Sequence, residues 1–376
     1  MTRRALFLAA ALALVAALRV WPSAPLAGSP VSTLPPQLTG PEFWTLSAQL
    51  SEPDGFFRSD NLVSNELYMQ RVIPDLMVLA RPGRAYLGVG PEQNFTYIAA
   101  VKPAIAFIVD VRRGNLRLHL MYKALFELSA DRSEFVSRLF SMKRHAELGK
   151  QATAKEIFAA YSDPEAKSEE LYKHNASAIR DVLTNTDRLT VSAEDLKGIE
   201  EVYQEFYTRG PSIHYEITPG SPGAFPSFAD LMTATDGGSV SRSFLASEEN
   251  FAAIRDLEKR NLVIPVVGNF AGPKAIRAIG QYLRSHDALV SAFYVSNVEQ
   301  YLEREGGMEQ FCASTATLPV DDSSTFIRSE RGGFGPRGPR WPPPATMGGA
   351  SNGFGGNFSS QLHNIRNDVK SCAAGR

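Results

Sequence analysis

Two short runs without polar interruption, Ala85–Val89 (AYLGV) and Ala104–Val109 (AIAFIV), are bounded by Gly, Pro or charge. That is the pattern of strands buried on both faces of a parallel sheet. Residues 92–101 between them have the length of a helix and Pro103 closes it, so this stretch predicts a strand–turn–helix–strand crossover. After Asp110, Leu116, Leu120, Ala124 and Leu128 recur at helical spacing and predict a second crossover helix over 115–129. Buried-strand patterning returns at Leu262–Val267 (LVIPVV), followed by a loop whose Pro273 suits the first position of a helix over 274–285. A further strand is predicted at Ala288–Val295, and Ser296 with Glu299 predicts a capping box opening the next helix. The alternation points to an α/β fold with a doubly wound, mostly parallel sheet.

The stretch 131–207 reads as a helical insertion. Thr153 with Glu156 and Ser192 with Asp195 are capping-box candidates, and Ile199, Val202, Tyr203 and Phe206 form one apolar stripe with Glu200 and Glu201 on its solvated side. Outside this body the patterning stops. Residues 28–40 read as an extended linker, so the domain is expected over 41–329, and the Gly/Pro-rich residues 330–376 read as a disordered tail.

Charge narrows the function classes. Lys plus Arg (39) nearly cancels Asp plus Glu (40), and no basic run is interleaved with aromatics, so no nucleic-acid partner is expected. The six histidines show no metal-ligand spacing and no metal is expected. There is no G-x-S-x-G elbow and no P-loop. Cys312 and Cys372 read as one partly buried thiol and one loose one, with pairing the alternative in an oxidising compartment. Residues 1–27 have the layout of a signal peptide or short membrane anchor: Arg3 and Arg4, an apolar run from Ala5 to Ala17, then Arg19, Pro22 and Pro25. The opening TRRALF resembles a twin-arginine export signal. Export or anchoring on the periplasmic side is therefore expected, with contact to membrane only through this segment and a cytoplasmic chain as the alternative.

The candidate chemistry lies at Gly88-Val89-Gly90. Two glycines directly after a buried strand let the backbone turn tightly and approach a ligand, and Asp110, 22 residues on at the end of the second strand, can accept hydrogen bonds from a ribose diol. Glu92 and Gln93 stand where the shorter and longer glycine fingerprints have their third glycine, and Pro91 removes one amide donor. YLGVGPEQN followed by FIVDVRRGN resembles motif I and the second-strand acid of class I S-adenosylmethionine-dependent methyltransferases. The resemblance implies a Rossmann-like fold, S-adenosylmethionine as cofactor, a cofactor site of Gly88, Gly90, Glu92, Asp110 and Asn269, and a small-molecule or protein acceptor. Asn269 matches the fourth-strand position beside the acceptor. SDNLVSNE, VGPEQNFTYIAA, HLMYKALFELSADR and VVGNFAGPKA also resemble an uncharacterised family of bacterial hypothetical proteins, which implies no activity.

On the acceptor side the candidates are Glu66, Asn269 and Tyr294 for catalysis and Asn61, Asn65 and Asn297 for substrate binding. An NAD(P)-dependent oxidoreductase is the alternative, because Arg112 and Arg113 follow the acid and suit a 2′-phosphate. A third reading is a non-catalytic exported Rossmann-like binding protein.

Overall fold

A computed structural model describes residues 32–145, 147–216, 225–331 and 358–373, all of them in one compact unit that begins at Ser32. The leader, residues 1–27, lies outside the described residues.

The chain enters through α1 (Gly40–Leu50), a 3-10 turn (Met69–Val72) and α2 (Ile73–Leu79). The predicted crossover follows as β1 (Ala85–Val89), α3 (Gln93–Val101), β2 (Ile105–Asp110) and α4 (Arg113–Leu128). The insertion supplies α5 (Arg132–Phe140), α6 (Ala154–Ala160), α7 (Glu169–Asp181) and α8 (Ala193–Arg209), and α9 (Phe228–Thr233) and α10 (Glu248–Lys259) continue it. Then come β3 (Val263–Val267), α11 (Ala275–Ser285), β4 (Val290–Ser296), α12 (Val298–Glu305), α13 (Met308–Thr315), β5 (Thr325–Arg331), β6 (Phe358–Asn364) and α14 (Ile365–Ala373).

The six strands form one sheet in the order β3-β2-β1-β4-β5-β6. All pairs are parallel except β5 with β6. The chain thus steps outward from β1 through β2 to β3, returns to β1's other side, and steps outward again through β4 and β5. Strands β2 and β3 are buried at every position, as their unbroken apolar runs require. A Phe cluster of Phe95, Phe126, Phe135, Phe244 and Phe251 joins α3, α4, α5 and α10, while α1, α11 and α13 pack together elsewhere. Thr153 and Glu156 form the expected capping box, satisfying each other's backbone amides; Ser192 caps α8 by accepting from the Asp195 amide, but the reciprocal bond is missing because Asp195 accepts from the Ser192 hydroxyl instead. Among the described residues no helix is long and apolar enough to cross a membrane.

Five expectations need correction. The tail expected over 330–376 is structured at 358–373, because β6 pairs antiparallel with β5 along its whole length and α14 follows directly. Cys312 and Cys372 are bonded, which ties α14 to α13. The linker expected over 28–40 is bound to the body at its far end: Leu38 is buried, its amide donates to Arg260 O, its carbonyl accepts from Asn261, and Thr39 caps α1. Finally, α11 starts at Ala275 with Lys274 as its cap, so Pro273 precedes the helix, and Ser296 makes no capping box. The Gly/Pro-rich residues 332–357 of the expected tail lie outside the described residues.

Candidate functional site

In open α/β sheets ligands bind outside the carboxyl ends of the strands, where the strand order reverses. Here that point lies between β1 and β4, and a cleft of about 190 Å³ opens there. Its wall takes Val89, Gly90 and Pro91 from the end of β1, Asp110 and Val111 from β2, Asn269 and Phe270 from β3, and Tyr294, Ser296 and Asn297 from β4. The segment before α2 covers it with Phe56, Phe57, Asn61 and Ser64–Glu66. Sheet topology therefore brings together Asn61, Asn65, Glu66, Gly90, Asp110, Asn269, Tyr294 and Asn297, all candidates on sequence grounds and scattered over more than 230 positions.

Two candidates fall behind the wall. A β-carbon on Gly88 would lie 1.8 Å from Asn94 Oδ1, so this glycine makes room for Asn94 rather than for a ligand. Asn94 Nδ2 donates to the carbonyls of Val89, Gly90 and Pro91, and its Oδ1 accepts from Tyr86. His119 Nε2 donates to the Gly90 carbonyl at 2.9 Å, and burial pushes this histidine down to about 4. The loop carbonyls are thus held from below, and Gly90, at φ 76°, presents open space to the cleft.

Glu92 is the second. It is fully buried, and its carboxyl accepts from the Ser64 amide at 3.1 Å; it is the N-cap of α3 but makes no side-chain cap bond there. Burial pushes its pKa up to about 8 against the pull of the Ser64 amide. Carboxylates do close two other helix starts along the edge. Asp54 accepts from the Arg113 amide at the start of α4, and Glu52 accepts from the amides of Lys274 and Ala275 at the start of α11 and of Asn269 in the loop before it. Helix starts carry unpaired amides and partial positive charge that attract anions; at these two the anion is a side chain of this chain.

Across β1 from Asp110 the cleft ends at Glu66, which is 3% exposed. Its Oε1 accepts from Tyr294 OH at 2.8 Å and Ser296 Oγ at 2.6 Å, and its Oε2 from Gln93 Nε2 at 2.9 Å. Gln93 also bonds Ser64 and Tyr97, and Tyr97 reaches Ser360 on β6 at 3.3 Å. Burial and the Glu66 charge push the Tyr294 phenol well above its usual range, so it is a proton donor throughout ordinary pH. Ser296, at φ 49°, follows a register shift in the β4–β5 pairing, and Asn61 faces the cleft at φ 47°. Left-handed backbone at non-glycine residues costs free energy and clusters at functional sites.

Asp110 lines the cleft but is engaged: Oδ1 accepts from the Arg112 amide at 2.9 Å, and the Arg112 guanidinium lies 3.2 Å away. Arg113 is held by Asp195 through two bonds of 2.7 and 2.6 Å. Asn269 is exposed and its Oδ1 accepts from the Ala271 amide, shaping its own loop. Sequence reasoning missed Ser64, Ser296 and Gln93, and also the aromatic lip of Phe56, Phe57, Tyr215 and Tyr301. Ser296 had a signal, a polar residue closing a buried strand, that also fits a helix cap. The aromatic lip had none. Among the described residues no cluster fit to hold a metal occurs.

Residues 62–352 match the family model of a domain of unknown function, DUF7790, and the chain belongs to that family. No curated protein matches it.

Proposed function

We propose that this DUF7790 protein is a Rossmann-like, methyltransferase-like protein that binds S-adenosylmethionine in the cleft at the end of β1. The strand order and the reversal beside β1 support the doubly wound reading. The observation that carries the choice of cofactor is the engagement of the residues suited to a 2′-phosphate: Arg112 is held by Asp110 and Arg113 by Asp195. Asp54 and Glu52 likewise occupy helix-start amides of α4 and α11, which would otherwise attract a phosphate. Both facts favour a nucleoside cofactor without phosphate over NAD(P).

The residues on the wall fit that group. Asp110 retains lone pairs for a ribose diol beside its bonds to Arg112, and Gly90 leaves the space a side chain would fill. S-adenosylmethionine, when bound, supplies an electrophilic methyl group. The protein's own part is alignment and exclusion of water: Phe56, Phe57 and Tyr301 cover the cleft, and Glu66, Tyr294, Asn61, Asn65 and Asn297 face the acceptor side. The Cys312–Cys372 bond supports an oxidising compartment, the destination its leader implies.

Thermal-shift measurements with S-adenosylmethionine, S-adenosylhomocysteine, NAD and NADP test this reading. Either S-adenosyl compound should raise the melting temperature, corresponding to about 2.7 kcal/mol at a hundredfold excess over its dissociation constant, and Asp110→Ala should diminish the shift. A shift with NAD or NADP alone, or with none of the four, overturns it.

A further inference from the structure

We propose that the inner end of the cleft is a site for an amine, held by Glu66, and that the acceptor substrate is therefore an amine on an apolar or aromatic body. The assignment of this end to the acceptor rests on the cofactor reading above; the amine preference does not.

Buried charges in proteins are paired with opposite charge or bind ions, since leaving water uncompensated is expensive. Glu66 is buried and has three hydrogen-bond partners, Tyr294, Ser296 and Gln93, all of them neutral. Among the described residues no Lys, Arg or His forms an ion pair with it, unlike the buried Asp195, which is held by Arg113 and Arg117. Three neutral donors satisfy three of the roughly four lone-pair sites of a carboxylate. One acceptor position and a whole negative charge remain.

The rest of the lining has the same sign. Glu66, Asp110 and Glu305 contribute acids, Asn61 contributes a buried oxygen without a partner, and among the described residues no basic side chain lines the cleft. A carboxylate or phosphate substrate would meet repulsion and no donor cation here. A cation meets Glu66, to which Tyr294 donates its hydroxyl, and an apolar or aromatic body meets the lip, where Phe57 and Tyr301 pack edge to face at 5.3 Å beside Phe56, which is 88% exposed.

The sheet separates this end from the proposed cofactor end. Asp110 lies on β2 and the Glu66 partners Tyr294 and Ser296 on β4, with β1 and its Gly90 loop between them. One cleft thus has a ribose-type acid at one end and an uncompensated carboxylate at the other.

The test is calorimetric titration of 2-phenylethylamine, 2-phenylethanol and 3-phenylpropanoate into the full-length protein, with and without saturating S-adenosylhomocysteine. The amine should bind at least about tenfold more tightly than the alcohol, as loss of one member of a buried charge pair implies, and the acid should bind least. Glu66→Gln should abolish the margin, while Tyr294→Phe, which leaves the carboxylate, should keep it. Equal binding of amine and alcohol by the wild type, no binding of any probe, or a margin that survives Glu66→Gln overturns the proposal. If Glu66→Gln does not fold, the wild-type margin decides. Loss of S-adenosylhomocysteine affinity in Glu66→Gln with no change for the amine would assign Glu66 to the cofactor and also overturn it. An amine margin without S-adenosylhomocysteine binding removes the cofactor reading and leaves the amine site standing.

Discussion

A single β-carbon distinguishes the two glycines of the loop. At position 88 it would strike Asn94 Oδ1 at 1.8 Å, and Asn94 cannot yield without releasing the carbonyls of Val89, Gly90 and Pro91. At position 90 it would meet nothing within 4 Å, but the backbone is left-handed. Gly88→Ala should therefore cost about 1–3 kcal/mol through overpacking plus the loosened loop, and Gly90→Ala about 1–2 kcal/mol through backbone strain alone. Equilibrium denaturation measures both, and a Gly88→Ala variant as stable as wild type would sink the packing role given to Asn94. The glycines were legible in the sequence as a pair. That one faces the cleft and the other a side chain was not, since both satisfy the same local pattern.

At the scale of elements, the strand–helix alternation from β1 to α4 and from β3 to β4 was readable because each buried strand is an unbroken apolar run. The edge strand β6, FSSQLHN, carries no such run. It is a strand because β5 offers it a ladder and because two covalent and ionic ties hold α14 beside it: Cys312–Cys372, and Arg328 bridging Glu299 and Asp368. The disulfide joins residues 60 apart, for which the loss of unfolded-chain entropy corresponds to about 4 kcal/mol. Reduction, or Cys312→Ser, should lower stability by up to that amount, read as a melting temperature with and without thiol. Identical melting in both conditions would mean that β6 and α14 dock without the bond.

The whole molecule decides protonation. The Glu92 carboxyl is protonated in both folded and unfolded chains below pH 4.5; between 4.5 and about 8 only the unfolded chain ionises it, so stability falls as pH rises through that window. His119 acts oppositely, costing stability as pH drops from 6.5 toward 4, and is silent above 6.5. Between pH 6.5 and 8, Glu92→Gln should thus be flatter than wild type by about 1.4 kcal/mol per pH unit, measured by denaturation at a series of pH values; an equal slope would mean that the fold holds Glu92 ionised. The sequence by itself determined the parallel strands, the crossover helices, the glycine turn and the acid at the end of β2, because these follow from local patterning and spacing. Only the tertiary structure decided that the starts of α4 and α11 are closed by Asp54 and Glu52, that Ser296 serves Glu66 rather than a helix, and that no cation among the described residues pairs with Glu66. Those facts depend on which distant side chains the sheet order brings within hydrogen-bond reach, and no spacing along the chain encodes them.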